Sequence, residues 1–445
     1  MDPLIATDGK LAHDLDRAHV FHSWSAQGAL DPFIIAGGSG STVWDYEGTR
    51  YLDFSSQLVN MNIGHQHPKV VQAIKDQADT LTMVAPAHGN LARGQAAKRI
   101  LTRAGAPFGS VFFTNGGADA NENAIRMARL VTGRDKVLST YRSYHGNTGA
   151  AIVATGDWRR MPNEYATGHA HFFGPFPYRS EFWSESTEQE GERALHHLRR
   201  VIQAEGPSTI AALLLETVPG TAGVLVPPAG YLAGVRALCD EFDILLILDE
   251  VMAGFGRAGE WFAFQADYGT GGQEVTPDLI TFAKGVNSGY VPIGGVIISE
   301  AIASEFQTQV FPGGLTYSGH PLAAASIVAA LDAMEEEGVI ENARTIGTGH
   351  LAPGLASLAE RHPVIGNVRG LGVFWALDLV EDRATRAPVG APLIGRLKGE
   401  LMKRGLLPFT ADNRLHVVPP CVVTPDEVAQ ALAIYDEAFT AIAAG

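Results

Sequence analysis

Asp249 ends the apolar run Ile244-Leu245-Leu246-Ile247-Leu248, and Lys284 follows a second run, Leu279-Ile280-Thr281-Phe282-Ala283, 35 positions later (284 − 249). A carboxylate at the carboxyl end of a buried strand can hold a pyridine nitrogen protonated. A lysine on a later strand can close an imine with the same ring's aldehyde, and pyridoxal phosphate chemistry needs both partners. Lysine is almost never fully buried unless paired. One desolvated behind five mostly apolar residues gives up its proton readily, as an imine-forming amine must. Taken singly, each residue has a plain reading too: Asp249 as a helix cap or, with Glu250, a metal ligand, and Lys284 as a lysine emerging at a strand end.

A third segment precedes these two. In Val111-Phe112-Phe113-Thr114-Asn115-Gly116-Gly117-Ala118-Asp119 an apolar strand runs into two glycines and then into the helical pattern of Ala124, Ile125, Ala128, Leu130 and Val131. Glycines admit close backbone approach to an anion, and the new helix offers unpaired N–H groups at its positive end. A tight turn would use the same residues. The segment matches neither the dinucleotide-binding fingerprint nor the P-loop with its closing Lys-Ser/Thr. In chain order the three segments read phosphate loop, carboxylate, lysine, and the plain readings would all have to coincide.

The elements that must position these residues are legible in outline. From about residue 110 to 299 short apolar runs alternate with amphipathic segments, giving strands at 111–114, 136–140, 210–215, 244–248, 279–283 and 295–298. Uninterrupted apolar runs bounded by Gly, Asp and Pro indicate strands buried on both faces, hence an α/β fold whose mostly parallel sheet is flanked by helices. The first fifty residues read as irregular, apart from a hairpin that begins at 42–45 and closes with 50–54 around Glu47-Gly48. Pro68 opens a helix. A long helix over 320–337 leads into a smaller α+β domain with strands over 364–380 and a final helix over 425–443. The expected division is an N-terminal segment, 1–60, packing with the small domain; a large cofactor-binding domain, 61–325; and a small C-terminal domain, 326–445. Residues 162–189 show no periodicity and read as a long loop of the kind that forms sites.

Composition narrows the function classes. The chain has 445 residues, 46% of them hydrophobic, enough to bury a large core. A formal charge of −15 argues against nucleic acid, which needs a basic face. Two cysteines, Cys239 and Cys421, make no disulfide framework. With no basic start followed by an apolar run, and no membrane-length apolar stretch, the expectation is a cytoplasmic protein without a membrane partner. The pairs His65-x-His67 and His169-x-His171 stand in loop contexts and supply two ligands each, short of a zinc site, so no metal is expected.

The segments quoted above, with Leu248-Asp249-Glu250-Val251-Met252-Ala253-Gly254-Phe255-Gly256-Arg257 and Thr316-Tyr317-Ser318-Gly319-His320-Pro321, resemble the class III (omega-type) aminotransferases of pyridoxal-phosphate fold type I. The resemblance runs from the hairpin at 44–54 and Gly64-His65-Gln66-His67-Pro68 to Pro419-Pro420. It implies Lys284 as the Schiff-base lysine and general acid/base, and Asp249 as the partner of the pyridinium nitrogen. Tyr144 would stack on the ring, and Gly116, Gly117 and Ala118 would bind the phosphate through backbone N–H groups. Glu216 and Met252 would lie near the ring. Thr316 would reach the phosphate in the neighbouring subunit, implying a homodimer with shared sites and leaving open whether dimers pair into tetramers.

Departures from the family pattern bear on substrate. The phosphate loop has no hydroxyl where many relatives carry one. Relatives acting on alpha-amino acids place an arginine three residues before the Pro-Pro pair; here that residue is His416, and a planar bidentate partner for a carboxylate is missing. On an extended strand Arg414 points to the same face and would substitute, or else is a surface charge. His22-Ser23-Trp24-Ser25 is similar to aminotransferases that pass the amino group of taurine or other omega-amines to pyruvate. Trp24, Leu58, Arg414 and His416 are the expected substrate-binding residues. The implied reaction is ping-pong transfer from an amine, diamine or omega-amino acid to a keto acid, pyruvate first. Aminomutase, racemase or decarboxylase activity on the same fold, and a cofactor-binding regulator without turnover, are the alternatives.

Overall fold

The computed structural model describes residues 8–164 and 166–443. Its centre is a seven-stranded sheet in the order Phe108–Thr114, Gly294–Ser299, Leu279–Phe282, Leu245–Asp249, Ile210–Glu216, Lys136–Thr140, His169–Phe172. Only Gly294–Ser299 runs antiparallel to its neighbours; the five strands beyond it pair parallel. Every residue of Ile210–Glu216 is buried, so both faces of that strand are covered, as its continuous apolar run requires. The register then does functional work. Glu216 pairs with Asp249 and Asp249 with Thr281, so three polar side chains line up at the carboxyl edge of an otherwise apolar sheet. Ligands of open parallel sheets bind outside that edge.

A second sheet, Ile365–Leu371, Phe374–Asp382, Arg414–Val417 and Phe409–Ala411, is antiparallel, and the short strand Ala387–Pro388 pairs onto it. Helices Ala352–Arg361, Ala391–Lys403 and Pro425–Ala443 belong to the same part of the chain. The N-terminal hairpin, Thr42–Trp44 with Arg50–Asp53, joins it through parallel pairing of Arg50–Asp53 with Leu406–Leu407. Fully buried Arg257 ties the parts together. It donates to the carbonyls of Val373 (3.2 Å) and Pro419, to Ser56 Oγ (3.2 Å) and to Asn62 Oδ1 (2.7 Å).

Two expectations are corrected. The first fifty residues contain a helix, Gly9–His19, capped by Asp8, whose carboxylate accepts from the N–H groups of Lys10 and Leu11. None of its residues is buried, so its apolar pattern carries little core signal. The segment 162–189 is not one loop: it holds the strand His169–Phe172, a turn at Pro177–Arg179, and the start of helix Thr187–Glu205. The pair His169 and His171 thus lies on a strand, recruited by parallel pairing with Lys136–Thr140 and not by apolar content of its own. Among the described residues no helix is long and apolar enough to cross a membrane.

Candidate active site

Two adjoining cavities open at the carboxyl edge of the large sheet. The inner one, about 370 Å³, is lined by Leu58, Gly116, Gly117, Ala118, Tyr144, Glu216, Asp249, Met252 and Lys284, among others. The outer one, about 600 Å³, is lined by Trp24, Arg159, Arg179 and Arg414, among others. Thr221 lines both.

Lys284 starts the turn Lys284–Val286 directly after strand Leu279–Phe282, with a left-handed φ of 44°. That conformation costs of order 1–3 kcal/mol for a residue with a Cβ, and such strain gathers at functional sites. Burial of the amine holds its pKa below the ordinary lysine range, against the opposing pull of the Asp249 and Glu216 charges.

Asp249 is held from three sides. Its Oδ2 accepts from Asn121 Nδ2 (2.7 Å) and pairs with His145 Nδ1 (2.8 Å), while Oδ1 accepts from the Val251 N–H (3.0 Å). Asn121 in turn donates to the His145 carbonyl (2.8 Å) and accepts from the Thr281 hydroxyl (2.7 Å). Glu216 accepts from the N–H groups of Tyr144 (2.9 Å) and Gly220 (2.8 Å), and burial raises its pKa. Tyr144 carries the Arg159 guanidinium over its ring at 3.9 Å, and Trp24 meets it edge-on with centroids 6.4 Å apart.

The glycine segment is built for close approach. Gly116 precedes helix Gly117–Thr132 in extended conformation. A Cβ on Gly117 would lie 2.8 Å from Val251 Cγ1, and one on Gly146 would lie 2.5 Å from Ala118 Cβ. The segment opens a sixteen-residue helix, whose first N–H groups have no partner within the helix and whose end is positive. A phosphate at that end, a ring over the floor between Tyr144 and Met252, and a basic ring nitrogen against Asp249 are what these residues suit. They fit pyridoxal phosphate.

The match to known proteins agrees with this geometry. The family model of class III aminotransferases matches residues 25–439. The chain belongs to the class III aminotransferases. It is a pyridoxal-phosphate-dependent transferase of the fold type I architecture. The taurine–pyruvate aminotransferase of Rhodobacter capsulatus is 33% identical, with 96% of each chain aligned. Its counterpart in Bilophila wadsworthia is 30% identical over 96% of each. Among solved structures, a taurine:2-oxoglutarate aminotransferase from Bifidobacterium kashiwanohense, in complex with pyridoxal phosphate and glutamate, superposes with a TM-score of 0.93 at 41% identity, covering 98% of both chains.

Of the residues expected at this aminotransferase's site, nine line the inner cavity, and Trp24 and Arg414 line the outer one. The other two lie elsewhere. Thr316 is exposed and lines neither cavity. His416 shares the strand face of Arg414 but is fully buried. It faces the Gly220 carbonyl from Nε2 (3.1 Å) and packs on the Phe409 ring at 4.6 Å, so it does not reach a substrate in either cavity. Asn121, His145, Thr281 and Arg159 escaped the sequence reading. His145 is the residue after Tyr144, and Asn121 lies one helical turn after Gly117, but only the tertiary fold brings both to Asp249.

Proposed function

We propose that this aminotransferase takes the amino group of an amine or omega-amino acid with an acidic far end, taurine being the model, and passes it to pyruvate. One observation carries the reading: Lys284 and Asp249 face one cavity, while Arg414 faces the cavity that opens beside it. A donor reaching from one to the other has its amine at Lys284 and its acid at an arginine. The taurine–pyruvate relatives support the same pair of substrates.

Bound pyridoxal phosphate supplies the electron sink for the pair of electrons left when a proton leaves the donor carbon. The residues supply the rest. The N–H groups of Gly117 and Ala118, behind Gly116, hold the phosphate. Asp249, kept in place by Asn121, His145 and the Val251 N–H, holds the proton on the pyridine nitrogen. Tyr144, Glu216 and Met252, which line the same cavity, would hold the ring. Lys284 would carry the proton taken from the donor carbon, and burial, which lowers its pKa, favours the free amine that accepts it. Leu58 and Trp24 flank the substrate. His416 supports the turn at Gly220 from below.

We also propose a cytoplasmic homodimer in which exposed Thr316 reaches the phosphate of the partner's site, with the chain divided near residues 60 and 325. Leu91, Val310 and Tyr317, all more than half exposed, are apolar surface that a partner would cover. The test is an absorbance titration of the holoenzyme with taurine, β-alanine, putrescine, 1-phenylethylamine and ornithine, each chased with pyruvate. Bleaching of the visible band by taurine or β-alanine and its return with pyruvate is the expected result. Bleaching by ornithine or putrescine alone would overturn the acidic-donor reading.

A further inference from the structure

One segment of the inner cavity is held in an unfavourable backbone shape. Ser56, Gln57 and Val59 have left-handed φ angles of 46°, 60° and 58°, three of four consecutive residues, and none is glycine. Gln57 combines its φ with a ψ of −95°. Left-handed φ is uncommon for residues with a Cβ and an outlier for a β-branched valine. Such strain persists only where the surroundings over-determine it. Fully buried Asp53 supplies those surroundings. Its Oδ1 accepts from the Ser55 N–H (3.1 Å), the Ser55 hydroxyl (2.6 Å) and the Gln57 N–H (3.4 Å). Its Oδ2 accepts from Gln57 Nε2 (2.9 Å) and pairs with His65 Nε2 (2.8 Å). Burial alone would push this carboxyl's pKa up, but the groups of His65, Ser55 and Gln57 hold it below the ordinary aspartate value. The Ser56 hydroxyl ties the turn from another side, donating to the Val418 carbonyl (2.7 Å). Leu58 stands between the strained residues and lines the cavity of Lys284, 48% exposed. An apolar side chain left open inside a cavity, on a turn that is strained to hold it there, is placed for contact with a ligand.

We propose that Asp53 is a positioning residue: through Ser55 and Gln57 it holds the strained turn of residues 55–59, so that Leu58 limits the room beside the donor carbon. The inference rests on Leu58 flanking the substrate, as proposed above. A carboxylate suits the task because it is acceptor-only, and every group of Ser55 and Gln57 that meets it is a donor. Whichever way round an asparagine sat there, its NH2 group would meet N–H donors of the turn. With that hold weakened, the strained residues gain by relaxing to negative φ, and Leu58 loses its place.

The test compares β-alanine with 3-aminobutanoate, which adds one methyl group on the carbon bearing the amine, as donors to the holoenzyme. The variants are Asp53→Asn, Gln57→Met, Leu58→Ala and the double variant Asp53→Asn/Leu58→Ala. Asp53→Asn should raise kcat/KM for 3-aminobutanoate relative to β-alanine about tenfold, and Gln57→Met, which removes one donor and leaves Asp53 in place, should raise it less. In the Leu58→Ala background Asp53→Asn should move the ratio less than about twofold, since the two act through one side chain. A merely structural loss would lower both donors together. Amide hydrogen exchange gives a second readout that needs no turnover: Asp53→Asn should speed exchange at residues 55–60 about tenfold and leave the strand Ile210–Glu216 as it was. A ratio moved by Leu58→Ala but by neither Asp53→Asn nor Gln57→Met, or unchanged exchange at residues 55–60, would overturn the role of Asp53 and leave Leu58 at the substrate. A ratio that Leu58→Ala does not move would remove Leu58 from the substrate, and the role of Asp53 would fall with it.

Discussion

At the scale of single residues, the site depends on how much each polar group gives up to be where it is. Asp249 lies at the end of an apolar strand, and three donors aim at it. His145 is the one whose other ring nitrogen, Nε2, is buried without a partner. That leaves Asp249 as its one side-chain contact of consequence and gives it a positioning role. His145→Ala should weaken pyridoxal phosphate binding about tenfold, the worth of one hydrogen bond to a charged group. Fluorescence titration of the apo form measures this, and unchanged affinity would leave Asn121 and the Val251 N–H as sufficient support.

His416 shows a burial cost with a pH signature. Burial drives its pKa down to about 3, and burial of His169 lowers that ring to about 4. Below the ordinary histidine value the unfolded chain takes up protons that the folded rings refuse. Stability therefore falls as pH drops from about 6.5, toward 3 for His416 and toward 4 for His169, by up to about 1.4 kcal/mol per pH unit for each ring. His416→Phe keeps a ring on Phe409 and should flatten this acid limb by about one proton, read from denaturant midpoints between pH 4 and 7. A slope equal to the wild type's would mean that His416 stays protonated in the fold.

At the scale of elements, the strand-to-helix turn at Thr114–Gly117 separates two glycines that look alike in sequence. Gly117 packs under Val251, whereas a Cβ on Gly116 would meet nothing within 4 Å. Gly117→Ala should therefore destabilise the apo protein by about 1–3 kcal/mol through overpacking, and Gly116→Ala should cost well under that. Thermal denaturation of both variants without cofactor decides it. Equal losses would show that Val251 moves aside. The strand edge carries the second lesson of this scale: pairing of Glu216 with Asp249 and of Asp249 with Thr281 means that a one-residue slip would turn the site's side chains into the helix layers.

At the scale of the whole molecule, the inner cavity lacks Thr316, which the family pattern assigns to a neighbouring subunit's phosphate. If sites are shared, Lys284→Ala and Thr316→Arg each inactivate the homodimer, but a mixed dimer retains one complete site. Mixing the two inactive proteins under exchange conditions should restore activity, and dimer mass in analytical ultracentrifugation should accompany it. No recovery despite verified subunit exchange would place each site within one chain.

Much of this is legible in the sequence alone. Asp249, Lys284 and the glycine turn are marked by residue types that are costly where they stand, a charge ending an apolar strand being the plainest. The central strands were legible because burial on both faces leaves an unbroken apolar run. The strand His169–Phe172 and the helix Gly9–His19 were not: one is held by backbone pairing at a sheet edge, and the other buries none of its residues. The partners of Asp249 were hidden, and so was Arg179 in the outer cavity, whereas Arg414 was not. Asn121 and Asp249 are 128 positions apart, and Arg179 and Arg414 are 235 positions apart (414 − 179). Sequence determines which groups pay to be buried, because that cost is local. Which of them then meet is decided by register and by the packing of one sheet on another, which depend on every strand at once.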